Sequence, residues 1–190
     1  MSNNKINIIV LNGASSSGKT SLARALQDIF EEPYLRLGTD IIHATLPDRF
    51  RDRRDAQSER MVRDAITGMH RSAAIMADAG NNVIVDTVMI NRVSVGECAQ
   101  ALARNRAFFI GLFCSDEVLR KRAAERGESM VNIALHQARH VHKHSIYDLK
   151  INTEGKPPNI MAEQIKNLVN SRTEPEAFKR LSSQYKKGGS

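Results

Sequence analysis

The stretch Ile8-Ile9-Val10-Leu11-Asn12-Gly13-Ala14-Ser15-Ser16-Ser17-Gly18-Lys19-Thr20-Ser21 decides how this chain is read. It opens on an unbroken apolar run, the pattern of a short strand buried on both faces. Gly13 to Thr20 then matches G-x-x-x-x-G-K-[S/T] at every fixed position. Small residues let the backbone turn back so that successive N–H groups converge on one anion. In the segment that follows, Thr20 to Phe30, the spacing of Leu22, Ala25, Leu26, Ile29 and Phe30 is that of a helix face. A helix N-terminus at that point adds its own attraction for phosphate. The competing reading is a plain glycine-serine turn. The strand, loop and helix supply the context in which the pattern holds nucleoside triphosphate. Gly13, Ala14, Ser15, Ser16, Ser17, Gly18, Lys19, Thr20 and Ser21 are therefore assigned to ATP binding. Lys19 reaches the β- and γ-phosphates, and the Thr20 hydroxyl ligates Mg2+.

Outward from this loop, apolar runs and helical spacings alternate. Strands are expected over Lys5–Leu11, Tyr34–Leu37, Val83–Val85 with Asp86 at its end, Ala107–Cys114 and Asp148–Asn152. Helices are expected over Ser58–Ala79 with Ser58 as cap and over Ser115–Arg126. Further helices are expected from Ser94 to about Arg104, where Ser94-Val95-Gly96-Glu97 has the capping-box form, and over Ile133–His144. Met161, Ile165, Leu168 and Val169 mark another, and a short helix can follow Pro175. Residues 41–55 resist assignment. The alternation predicts an α/β fold of the P-loop NTPase type, a doubly wound parallel sheet of about five strands with helices on both faces. Residues 1–171 read as the domain, with 41–57 as a substrate-side insertion and 115–130 as a lid. Residues 172–190 read as a C-terminal extension, partly disordered.

Composition narrows the function. The net charge is +7, yet arginines and acids interleave from Arg49 to Asp64, so a mixed-charge surface fits better than a nucleic-acid groove. No apolar stretch approaches the roughly 20 residues that span a bilayer, and no signal segment opens the chain. Two cysteines, Cys98 and Cys114, make no disulfide framework. Cys114 ends an apolar run and reads as a buried thiol. The expectation is a cytoplasmic protein acting on a small molecule, without membrane or nucleic acid; its oligomeric state is left open.

Ligands of open α/β sheets bind beyond the carboxyl ends of the strands. Asp40 and Asp86 each follow a strand and should gather there beside the loop. Asp86, after an apolar run, is expected on the metal side, directly or through water. Asp40 is then the base that accepts an attacking hydroxyl's proton. Arg120, Arg122 and Arg126 lie on or beyond the helix after the fourth strand, where they can clamp the transferring phosphoryl group; charge at a helix end and pairing with Glu125 is the competing reading. His136, His140 and His144 are four apart, a spacing that stacks ligands on one helix face. No nearby Cys or Glu completes a zinc set, so they read as solvent-facing or substrate-lining.

Together these motifs resemble the chloramphenicol phosphotransferase-like proteins. The run Ile8 to Thr20, Gly38-Thr39-Asp40 and Val83 to Val88 correspond to the start and to the second and third strands of that family. Phe113-Cys114 with Glu117 and the arginine-rich helix resembles its lid region. Gln137 through Val141-His142, then Tyr147-Asp148 and Asn152-Thr153, resembles its late pattern. The resemblance implies ATP-dependent phosphorylation of a substrate hydroxyl, with Asp40 as base and Lys19 on the phosphates. The alternatives are a zeta-toxin-like kinase acting on a nucleotide sugar and a nucleotide-binding regulatory module. A guanine-specific switch would bring an Asn-Lys-x-Asp segment, and the chain has none.

Overall fold

Strand β1 (Ile8–Asn12) is buried along its whole length, and it forms the centre of a five-stranded sheet. The computed structural model describes residues 6–51 and 55–187. The sheet order is β2-β3-β1-β4-β5, every pairing is parallel, and the strands are β2 (Tyr34–Gly38), β3 (Asn82–Thr87), β4 (Ala107–Phe113) and β5 (Leu149–Asn152). Successive strand residues point to opposite faces, so the apolar run of β1 serves two cores. Ile8 and Val10 join Val85 and Phe109 on one face. Ile9 and Leu11 join Ile84, Phe108 and Ile110 on the other.

Helices cover both faces, as parallel sheets require. On the first lie α4 (Ala56–Asp78), α5 (Arg92–Leu102) and α9 (Ala177–Lys187), which contribute Met69, Ala73, Val95, Leu102, Phe178 and Leu181. On the second lie α1 (Lys19–Ile29) and α8 (Pro158–Asn170), through Leu22, Leu26, Met161 and Ile165. A separate small core joins α6 (Asp116–Ala124) to α7 (Glu128–Ala138) through Leu119, Ala123, Val131 and Leu135. The short helices α2 (Thr39–Ala44) and α3 (Asp48–Arg51) occupy the stretch that resists assignment from sequence. Residues 52–54 of the expected insertion lie outside the described residues, as do 188–190 of the expected extension. Within that extension α9 packs into the same core as the sheet, with Phe178 stacked on Phe109 at 4.6 Å between ring centroids. The Asp148 carboxylate fixes its start, since Oδ1 accepts from the N–H groups of Glu176 and Ala177 while Oδ2 accepts from that of Phe109.

Several expected boundaries shift. Asp55, not Ser58, caps α4; its carboxylate accepts from the N–H of Ser58 at 2.9 Å. The capping box at Ser94 is not formed, because the helix begins earlier and Asn91 caps it through the same kind of bond. The helix predicted over 133–144 instead covers Glu128–Ala138, and turns follow it. Helix α6 stops at Ala124, which leaves Arg126 beyond it. Cys114 is half-buried rather than buried. The shifted helix starts share one cause: a short polar side chain at α4 and α5, and Gly127 with φ 124° ahead of α7, settle the helix start ahead of the apolar periodicity.

Candidate active site

The strand register brings the candidate residues to one edge. Leu11 of β1 pairs with Asp86 of β3, and Gly38 of β2 pairs with Asp86 from the other side. The loop that leaves β1 and the helix that leaves β2 therefore start beside the same carboxylate. From Gly13 the backbone turns tightly. Ser16 and Gly18 take positive φ, and the N–H of Ser17 closes on the Ala14 carbonyl at 3.2 Å. A Cβ on Gly13 would sit 2.7 Å from Ser17 Oγ and 2.9 Å from the Leu112 carbonyl, so only glycine fits. Helix α1 begins at Lys19 with no side chain capping it. Its first N–H groups are thus left for an anion.

Lys19 is buried at 7% exposure, and its ammonium donates to the carbonyls of Gly13 and Ala14, each at 2.9 Å. Burial holds its pKa down at about 8, opposed by the charge of Asp86 and reinforced by that of Arg126. Thr20 Oγ1 donates to Asp86 Oδ2 at 2.6 Å. Arg36 stands between the two acids, its Nη1 lying 3.6 Å from Asp40 Oδ1 and 3.6 Å from Asp86 Oδ2. Asp86 is buried, whereas the Asp40 side chain is 58% exposed, in the first turn of α2. A Cβ on Gly38 would collide with the Asp40 carboxylate, so this glycine makes room for the acid.

Lys19, Thr20, Asp40 and Asp86 line one cleft of ≈ 960 Å³. Its far wall comes from the α6–α7 pair. Arg122 reaches across and donates to Thr153, through Nη1 to Oγ1 at 3.1 Å and through Nη2 to the carbonyl at 3.0 Å. Arg126 also lines the cleft. Arg120 does not: it is exposed on α6, away from the other two. His136, His140 and His144 stay outside the cleft, and the early end of α7 removes the single helix face they were expected to share. The rings of His136 and His140 approach to 4.9 Å. Among the described residues, no group of three or more His, Cys, Asp or Glu is arranged to hold a metal ion. The oxygen pair of Thr20 and Asp86 suits a different kind of ion, one that completes its shell with phosphate and water, as Mg2+ does.

Behind the loop lies a chain of polar contacts. Asn12, fully buried, accepts from the N–H of Met89 and donates to Tyr147 Oη at 2.9 Å and to the Val141 carbonyl at 3.1 Å. Tyr147 Oη lies 2.7 Å from His142 Nδ1, and the His142 ring stacks on Phe113. Burial pushes the His142 pKa down to about 4, which favours the neutral ring.

Comparison with known proteins now decides the family. A model of chloramphenicol phosphotransferase-like proteins matches residues 6–170. This chain belongs to that family. A relative in Mycobacterium tuberculosis, provisionally named an O-phosphotransferase, is 28% identical over 199 residues, covering 94% of this chain and 88% of that protein. The fold is shared more widely. An APS kinase of M. tuberculosis, solved with AMPPNP and APS, superposes with a TM-score of 0.69 at 14% identity, over 88% of this chain and 99% of its own. The tunicamycin resistance protein of Deinococcus radiodurans gives 0.64 at 18% identity, over 90% and 99%. The fold is thus that of the P-loop kinases, and the family is one of phosphotransferases. No described helix is long and apolar enough to cross a membrane.

Arg36 escapes a reading of motifs, although the strand Tyr34-Leu35-Arg36-Leu37 carries a lone cation just before the edge where ligands bind. Gln137 and Thr153 belong to the late pattern read from the sequence, but that pattern does not give their partners: Thr153 accepts from Arg122, and Gln137 Oε1 accepts from the loop N–H of Ser15 at 2.7 Å. Both partners are distant in sequence.

Proposed function

We propose that the protein transfers the γ-phosphoryl group of ATP to a hydroxyl of a small molecule. One observation carries the reading: an uncapped phosphate loop, a Thr20–Asp86 oxygen pair and an exposed Asp40 carboxylate all line a single cleft. In this scheme the loop N–H groups and Lys19 hold the β- and γ-phosphates. Asp40 accepts the proton as the acceptor oxygen bonds to phosphorus, and the bond to the β–γ bridging oxygen breaks to release ADP. Thr20 and Asp86 would hold Mg2+, Asp86 directly or through water; the bound ion would offset charge on the phosphates. Arg122 and Arg126 line the side from which the transferred group can be clamped, and Arg120 has no part in it.

The acceptor side is lined by Ile66, Val88 and Ile90 beside Asp40 and His43, which favours a hydroxyl compound with an apolar body. The family's name and the tunicamycin resistance neighbour put hydroxylated antibiotics first among candidates, ahead of nucleotide sugars. The test is mass spectrometry of antibiotics, sugars and nucleotides incubated with the protein, ATP and Mg2+. A gain of one phosphoryl group on one class supports the reading. Nucleotide binding without phosphorylation of any acceptor would point to a regulatory module instead.

A further inference from the structure

The peptide unit joining Ala14 to Ser15 is hydrogen-bonded at both ends. Its carbonyl accepts from Lys19 Nζ at 2.9 Å, and its N–H donates to Gln137 Oε1 at 2.7 Å. The amide must present its oxygen here, because a backbone N–H needs an acceptor. Gln137 sits in the last turn of α7, half-buried and facing the cleft. The same stretch of chain holds the residue before the loop. The N–H of Val141 donates to the Gln137 carbonyl at 2.8 Å, and the Val141 carbonyl accepts from Asn12.

Two physical consequences follow. Donation to a good acceptor polarises the peptide and makes its carbonyl a stronger partner for the ammonium. It also fixes the peptide plane, since rotation about it would swing the Ala14 oxygen away from Lys19. Lys19 is nearly stripped of water and leans on two carbonyls, those of Gly13 and Ala14. Loss of one leaves the ammonium free to settle elsewhere, and a small misplacement of a phosphate-binding group is costly.

We propose that Gln137 is a positioning residue for Lys19: by holding the Ala14–Ser15 peptide it sets the direction from which the ammonium meets the phosphates. The proposal rests on the phosphotransferase reading, which supplies the phosphates. The simpler role for Gln137 is to anchor α7 against the loop with no consequence for Lys19.

A double-mutant cycle separates the two roles, and it needs no acceptor. The affinity for AMPPNP with Mg2+ is measured by calorimetry for the wild type, Gln137→Leu, Lys19→Met and the double variant, with thermal unfolding as the check on the fold. Gln137→Leu is expected to weaken AMPPNP roughly 3- to 10-fold, the worth of one hydrogen bond. In the Lys19→Met background the same change should cost less than about 2-fold. Equal factors in both backgrounds overturn the proposal, as does the lack of an effect on the wild type. Gln137→Met, of similar length and without the amide, takes its place in the cycle if the leucine variant does not fold. A wild type that binds no AMPPNP removes the phosphotransferase reading itself. One that binds AMPPNP and phosphorylates nothing still lets the cycle decide.

Discussion

Thr20 Oγ1 donates to Asp86 Oδ2 at 2.6 Å, and this bond ties the first turn of α1 to the end of β3. The pair consists of two hard oxygens on elements that the parallel register brings side by side. In the proposed function these are the oxygens that would hold Mg2+. Arg36, 3.6 Å from Asp86, supplies positive charge at the same place, so under the proposed function a bound metal and the guanidinium would compete for one carboxylate. Asp86→Asn keeps the shape and removes the charge. It should weaken Mg2+ by about 10- to 100-fold, the scale of a lost ligand-shell partner. The measurement is Mn2+ binding in the presence of ADP, followed by electron paramagnetic resonance alongside the Mg2+ dependence of turnover. Unaltered metal affinity would remove Asp86 from the metal side.

Asp40 is exposed and stands apart from the loop's own hydrogen bonds, which suits a group that meets the acceptor rather than the nucleotide. Asp40→Asn should lower turnover by about 10²- to 10⁴-fold, the usual contribution of a positioned base. Affinity for AMPPNP should change by less than about 2-fold, since this side chain is not assigned to phosphate. Steady-state kinetics with a saturating acceptor, paired with calorimetry, checks both halves. Undiminished turnover would rule Asp40 out as the base.

Features fixed by neighbours in sequence are legible without a structure. The apolar run Ile8–Leu11, the pattern Gly13–Thr20 and the acid after Val83–Val85 bring Lys19, Thr20 and Asp86 to the cleft, because strand, loop and helix there follow one another directly. What escapes is long-range pairing. Ser15 and Gln137 are 122 residues apart, and the link exists only because α7 folds back over the loop. Arg36 is a neighbour of Asp40 in sequence but meets Asp86 through the strand order β2-β3-β1, which no local pattern encodes. The histidines fail for the opposite reason. Their regular spacing suggests one helix, yet α7 ends at Ala138, before His140 and His144.

Gly111 is a test of how tightly the support behind the loop is built. A Cβ at this position would lie 2.7 Å from the Tyr147 ring, which itself packs on Phe109 and reaches Asn12. Gly111→Ala must therefore displace the ring and strain the Asn12 contacts. The expected loss is about 1–3 kcal/mol of stability, the cost of overpacking a dense core. Gly68 is the control, for it lies within α4 with nothing inside 4 Å of an added Cβ. Gly68→Ala should be neutral or stabilise by up to about 1 kcal/mol through helix propensity. Urea unfolding of both variants reads the difference, and equal midpoints would mean that Tyr147 gives way freely.

His70 makes stability depend on pH. It lies on α4 at 2% exposure, with Nε2 3.1 Å from Thr87 Oγ1, next in sequence to Asp86. Burial holds its pKa at about 4 against an ordinary 6.5. The folded chain therefore stays neutral at this site where the unfolded chain takes up a proton. Stability due to this group is complete above pH 6.5, falls as pH drops from 6.5 to about 4, and then levels off. The loss from His70 alone should reach roughly 2 kcal/mol by pH 5. His142, lowered to about 4 by the same cause, also contributes to the drop, and does so in wild type and His70 variant alike. His70→Gln keeps a polar group near Thr87 and cannot titrate. Urea unfolding at pH 7 and pH 5 should show a drop for the wild type that exceeds the variant's by roughly 2 kcal/mol, the share of His70. An equal drop in the two proteins would mean that His70 protonates in the folded state as readily as in the unfolded one.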